Sequence, residues 1–188
     1  MFFKFISFLS IFFLLINTTI LKADPKKKII DNINKTNSTK FNFVQISNNK
    51  TEKGICFLKR PYYLKCEYND KNQKQLIVNK NNLVIYHKRY EKIYNYPLSK
   101  SYFTEILNSK KFSNIVKNGS LEKANNNYII KYFFEKKGEI VFYFGDQNYT
   151  LNGWDLLNLN NSKISFKILN SEENYDVKKT FFDIPKKN

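Results

Sequence analysis

From Phe41 onward the chain is written mostly in short segments of alternating character, separated by polar turns. Phe41 and Phe43 flank Asn42, and the run continues to Ile46. A period of two places successive side chains on opposite faces of a strand, so such segments build a sheet with one apolar side. Gly54–Arg60, Tyr62–Tyr68, Gln75–Asn79, Leu83–Lys88 and Lys92–Tyr96 follow, with turns at 48–53, at Pro61, at 69–73 and at 80–82. This reads as a meander of antiparallel strands. Beyond Gly119 the same pattern returns in Tyr128–Phe134, Glu139–Phe144, Tyr149–Leu157 and Lys163–Leu169.

Two intervals break the period. Pro25 to Thr39 reads as a short helix, with Pro25 in the first turn and Ile29, Ile30 and Ile33 on one stripe. After Pro97, residues Tyr102, Phe103, Ile106 and Leu107 fall at helical spacing, and Phe112, Ile115 and Val116 continue that face. Ser99 or Ser101 is placed to cap this interval. The expected fold is mainly β (α+β), with about ten or eleven antiparallel strands. So large a sheet must curl or close, because its apolar face needs cover. A curved sheet with a helical lid encloses a space, and the abundant aromatic side chains either make it a greasy concave interior or fill it as an ordinary core.

Residues 1–23 have a different character. Lys4 precedes an apolar run from Phe5 to Ile16, broken only by Ser7 and Ser10, and Ala23 stands where a cleavage site is expected. The run is shorter than the roughly 20 residues a spanning helix needs, and it matches a cleavable export signal. An uncleaved N-terminal anchor is the alternative. No Cys precedes Cys56, so the leader holds no residue to acylate. The expected organisation is a signal peptide over 1–23 and one domain over 24–188, in the periplasm. In that oxidising setting Cys56 and Cys66, ten apart around Pro61, are a candidate disulfide. A hairpin centred on Pro61 puts them opposite each other, whereas a slip of one residue turns one of them to the other face.

Net charge is +16, from 32 Lys+Arg against 16 Asp+Glu. Only Arg60 and Arg89 are Arg; the rest are Lys, spread through nearly every segment and accompanied by many Asn. Phosphate readers favour the planar fork of Arg, so a solvated Lys-rich surface fits better than nucleic-acid binding. A secreted polyanion binder stays as a minor reading. The single His87 and the two Cys exclude a multi-residue metal centre, and no paired carboxylates suggest acid–base catalysis. No cofactor is expected, and His87 reads as a surface or pocket-edge residue.

Several local patterns occur in one order. These are Phe41-x-Phe43-x-Gln45, Gly54, Lys59-Arg60-Pro61, Tyr68, Leu76-Ile77-Val78 and Leu83-Val84-Ile85-Tyr86. Leu151-x-Gly153-Trp154, the strand Ile164–Ile168 and Phe182-x-x-Pro185 complete the series. The order resembles the LolA family of periplasmic carriers of outer-membrane lipoproteins. Asn69-Asp70-Lys71 departs from the proline the family often has after the tyrosine, and Asn158 with Asn160-Asn161 departs from its Asp and Gly. An Asn still permits the turn.

The resemblance implies a curved, incomplete antiparallel barrel covered by a helical lid, with an apolar cavity, in a non-enzymatic carrier that binds the acyl chains of lipoproteins. It implies a LolCDE-type ABC exporter in the inner membrane as donor and a LolB-type outer-membrane acceptor, with the carrier itself a monomer. It implies that Arg60, just before the turn proline, hydrogen-bonds the lid in the closed state. Ser99, Ser101 and Asn108 are candidate polar partners in that lid. The expected acyl cavity is lined by Phe41, Phe43, Leu58, Leu64, Ile77, Ile85, Phe103, Ile106, Leu107, Phe142, Phe144 and Trp154. A general periplasmic lipid binder or a structural envelope protein with the same fold is the runner-up.

Overall fold

The computed structural model describes residues 24–186. The expected leader, residues 1–23, lies outside the described residues. Helix α1 (Pro25–Lys35) starts with Asp24, whose side chain accepts from Lys26 N, and it buries Ile29 and Ile33. An Asp N-cap followed by Pro in the first turn is a strong helix start.

Six strands follow in a meander: β1 (Ser38–Ser47), β2 (Lys50–Lys59), β3 (Tyr63–Tyr68), β4 (Lys74–Asn79), β5 (Asn82–His87) and β6 (Lys92–Pro97). Then come two helices, α2 (Phe103–Ile106) and α3 (Ser109–Asn118). Five more strands close the order: β7 (Ser120–Ala124), β8 (Asn127–Phe134), β9 (Gly138–Gly145), β10 (Leu151–Leu157) and β11 (Lys163–Glu173). A 3-10 turn at Lys179–Phe182 ends the described chain.

All eleven strands form one sheet, in the order β6-β5-β4-β3-β2-β1-β11-β10-β9-β8-β7. Every pairing is antiparallel. The sheet is not closed, because β6 and β7 are its two edges. The chain walks outward from β1 to β6, crosses to the far edge through α2 and α3, and walks back to set β11 beside β1. That single long crossing is the lid, and topology alone lays it over the concave face.

The alternation read from the sequence is the alternation observed. One cross-strand row, Phe41–Cys56–Cys66–Leu76–Ile85–Tyr94, runs over the concave face from β1 to β6. A second, Phe166–Trp154–Phe142–Ile130, continues it through β11, β10, β9 and β8. Gly54 lets Phe43 lie flat against β2, since a Cβ there would stand 2.9 Å from Phe43 Cε1 and collide with Glu67 O. The lid's apolar stripe, Ile106, Leu107, Phe112, Ile115 and Val116, is buried against this face.

Several boundaries differ from the sequence reading. The turn read over 48–53 is only Asn48-Asn49, with β2 starting at Lys50, and β10 starts at Leu151. The first helix stops at Lys35, where Thr36 turns extended and its hydroxyl donates to Asn32 O. Ser120–Ala124 is an additional edge strand, exposed throughout, whose residues carry no burial pattern to betray it. Strand β11 runs on to Glu173, held by pairing with β1 rather than by its own apolar content.

Candidate functional site

Between lid and sheet lie two adjoining chambers, of about 70 Å³ and about 370 Å³. Phe41, Leu64, Phe103, Ile106 and Trp154 belong to both and form the shared wall. The smaller chamber adds Leu58, Arg60, Leu107, Phe112, Phe144 and Leu151. The larger adds Cys56, Cys66, Leu76, Ile85, Tyr102 and Phe166. It continues past Lys100 and Ser101 into a more open hollow of about 260 Å³ beside β6, bounded by Leu83 and Tyr96. Apolar chambers of this size with few polar groups suit a small-molecule or acyl ligand.

Nine of the twelve residues expected to line the cavity do so: Phe41, Leu58, Leu64, Ile85, Phe103, Ile106, Leu107, Phe144 and Trp154. Phe43 and Phe142 are fully buried behind the wall instead. Phe43 stacks on Phe166 at 4.8 Å and Phe142 leans on Phe112 at 4.8 Å, so both support residues that do face the cavity. Ile77 does not belong to it. Its neighbour Leu76 takes the concave side, and Ile77 pairs with Lys65, which faces the outer side beneath Phe181. A three-residue apolar run in a strand necessarily sends its middle residue to the other face.

Cys56 and Cys66 are bonded to each other as directly opposed residues, with Cα atoms 4.0 Å apart. Of the two registers open to the hairpin, the chain adopts the one that aligns them. Both face the larger chamber, so the disulfide is part of its wall.

Arg60 stands at one end. It precedes the turn Arg60-Pro61-Tyr62 between β2 and β3, and that turn is pinned on two sides. Arg60 N donates to Asn37 O at 2.8 Å, and Tyr62 O accepts from Lys80 N at 3.0 Å. From this fixed base the guanidinium reaches the lid, where Nη1 donates to Ile106 O at 2.6 Å. Its Cζ lies over the Phe112 ring, 5.6 Å from the centroid. Nε is buried and has no hydrogen-bond partner among the described residues. Burial pulls the group's pKa down to about 10, because taking the cation out of water disfavours its charged form.

The acceptor differs from the partners expected. Ser99, Ser101 and Asn108 do not bond Arg60. Ile106 closes the four-residue α2, and the last carbonyls of a helix lack intrahelical partners. A cation is a natural cap for one of them. Asn108 has two other tasks. Its Oδ1 accepts from Lys111 N and starts α3, and its Nδ2 donates to Tyr62 Oη at 2.6 Å. Residues 60 and 62 of one turn thus hold residues 106 and 108 of the lid. Ser101 Oγ accepts from Phe103 N just ahead of α2, whose N-cap is Tyr102 rather than either serine.

The opposite side of the lid is tied to the β8–β9 turn. Lys137 Nζ donates to Ser101 O at 2.7 Å and pairs with Glu105 at 3.1 Å, while Tyr102 Oη donates to Lys137 O. Helix α1 packs beside α3, with Lys26 Nζ donating to Lys117 O and Gly119 O, and its Ile33, with Thr36 at its end, lines the smaller chamber. His87 is half-buried on β5, edge-on to Tyr94 at 5.6 Å, outside these chambers. Among the described residues no group of His, Cys, Asp or Glu is arranged to hold a metal ion, and no helix is long and apolar enough to cross a membrane.

Sequence reasoning missed the Tyr62–Asn108 bond and the lining role of Phe112, Phe166 and Leu76. Phe112 was on the apolar stripe with Ile115 and Val116, so its burial was readable. Its contact with Arg60 depends on the chain crossing and was not.

Known proteins resemble the chain at two levels. No curated protein matches it. Among solved structures, an uncharacterized conserved protein from Thermus thermophilus superposes with a TM-score of 0.58 at 7% identity, over 87% of this chain and 96% of that one. MucB in the Pseudomonas aeruginosa MucA/MucB complex superposes with a TM-score of 0.50 at 9% identity, over 87% of this chain and 62% of that one. A LolA superfamily protein from Nitrosomonas europaea gives 0.46 at 5% identity, over 86% and 99%. At such identities the likeness to the Thermus protein and to MucB is one of fold. The family model for the outer membrane lipoprotein carrier protein LolA matches residues 34–185, which takes in the sheet, the lid and Arg60. The chain belongs to the LolA family.

Proposed function

We propose that this protein is an extracytoplasmic carrier of acylated lipoproteins. In this reading residues 24–188 are the mature monomer, released from a cleaved leader. It accepts acyl chains of a lipoprotein from an ABC exporter of LolCDE type in the inner membrane. It passes them to an acceptor of LolB type in the outer membrane, and it performs no chemistry on them.

The observation that supports the reading most is the Arg60–Ile106 bond closing a lid over an apolar cavity. A carrier must release what it binds. Burying an acyl chain gains about 0.8 kcal/mol per CH₂, on the order of 10 kcal/mol for a long chain. An opposing cost makes delivery possible. Opening the lid breaks a charged hydrogen bond worth about 1.5–3 kcal/mol and a neutral one worth about 0.5–1.5 kcal/mol. The latch therefore raises the free energy of the open, loaded form and favours handing the cargo on.

Depletion of the protein, followed by fractionation of the envelope, tests the role. Lipoproteins retained at the inner membrane are the expected result. Normal sorting after depletion would remove the shuttle role. Mass spectrometry of co-purified material separates lipoprotein cargo from the free lipids a general lipid binder would hold.

A further inference from the structure

The larger chamber is not apolar throughout. Arg60 closes one end of the cavity, at the β2–β3 turn. At the other end, by the β1–β2 hairpin, the lining turns polar with Gln45, Tyr68 and Lys74. Tyr68 Oη donates to Gln45 Oε1 at 3.2 Å, which orients the amide so that its nitrogen is the end left for a ligand. Lys74 Nζ lies 3.8 Å from the Tyr68 ring centroid, fixed between that ring and Glu52 at 2.7 Å. Lys100 lines the same chamber where it opens toward β6.

The charged groups around this end divide between the chamber wall and its surround. Glu52 is shared by Lys74 and by Lys50, the latter at 2.8 Å. Asp70 accepts from the main-chain N of Lys74 rather than from its ammonium. Of these charged groups only Lys74 lines the chamber; Glu52, Asp70 and Lys50 do not, and Lys100 is a second lining cation toward β6. Beyond its apolar wall, a ligand meets Lys74, Gln45 and Tyr68 at this end, with Lys100, Ser101 and Asn158 elsewhere in the lining.

We propose that the larger chamber is a bipolar site for a long-chain carboxylate. The hydrocarbon chain lies against Trp154 and Leu64, and the carboxylate accepts hydrogen bonds from Lys74 Nζ and Gln45 Nε2. This goes beyond the lipoprotein-carrier reading, whose cargo presents ester- and amide-linked chains without a carboxylate, and rests on that reading only for the acyl-binding chamber. The same chamber also takes a free fatty acid, or an acyl amphiphile with an anionic head, and holds it more tightly than a neutral ester. In a chamber shielded from water a charged hydrogen bond holds much of its strength.

The test uses cis-parinaric acid and its methyl ester as fluorescent probes on the purified mature chain at neutral pH. The acid is expected to bind about tenfold tighter than the ester, the equivalent of one charged hydrogen bond. Lys74→Met is expected to bring the two affinities together, and Gln45→Leu to narrow the gap. Because Lys74→Met strips Glu52 of a partner, the double variant Lys74→Met/Glu52→Gln is measured beside it, with the circular dichroism spectrum as a check on folding. Equal binding of acid and ester by the wild type, or an unchanged ratio in the double variant, overturns the proposed head site and leaves acyl binding intact. Failure of both probes to bind the wild type overturns the head site and the acyl-carrier reading together.

Discussion

Arg60 Nη1 stands 2.6 Å from Ile106 O, so one guanidinium ties the turn between β2 and β3 to the end of the lid's first helix. Replacing Arg60 by Leu removes the bond, the cation over Phe112 and the buried Nε that has no partner among the described residues. The lid should then open more readily. A lipoprotein is expected to be bound at least as tightly and delivered several-fold more slowly. Transfer to the acceptor at the wild-type rate would show that Arg60 does not gate release. Arg60→Lys should be intermediate, because an ammonium offers one point contact and loses the guanidinium over Phe112.

Tyr62 Oη accepts from Asn108 Nδ2 at 2.6 Å. Tyr62→Phe deletes that bond and keeps the ring. A stability loss of about 0.5–1.5 kcal/mol is expected, read by urea denaturation, with an effect on transfer in the same direction as Arg60→Leu but smaller. Asn108→Ala should cost more than Tyr62→Phe, because it also removes the cap of α3.

Burial lowers the Arg60 pKa to about 10. The group is therefore still protonated from pH 6 to pH 9, and lid opening should be flat across that range. Above it the sign is set by linkage. Above about 10 and below the ordinary arginine range the unfolded chain holds the proton and the folded one has lost it, so this group makes the fold relatively more stable as pH rises. A lid-opening probe that titrates between pH 6 and pH 8 would point to another group.

The Cys56–Cys66 disulfide closes a short loop across β2 and β3 in the cavity wall. Cys56→Ala/Cys66→Ala should lower unfolding free energy by about 2–3 kcal/mol, as expected for a loop of this length. Acyl affinity should fall too, since the register it ties is the one that aims Phe41, Cys56, Cys66 and Leu76 into the chamber. Chemical denaturation with and without reductant checks the first, and probe titration the second.

Most of the sheet was legible because period two reports which face each residue takes. The lid was legible as a helical interval with an apolar stripe. What stayed hidden depends on contacts across the chain. Ile77 looked like cavity lining because apolar residues in a run carry no label for side, and only pairing with Lys65 assigns it outward. Strand β7 was missed because an exposed edge strand has no buried face. The acceptor for Arg60 is a main-chain carbonyl, which no side-chain pattern can name. Arg60 itself stood out because nearly every other basic residue is Lys.

The most direct measurement is native mass spectrometry of the mature chain purified from the cell envelope without detergent, wild type beside Arg60→Leu. The account predicts one acylated lipoprotein per chain, at higher occupancy in Arg60→Leu. Wild type and variant both recovered without any acylated species, from an envelope rich in lipoproteins, would contradict it.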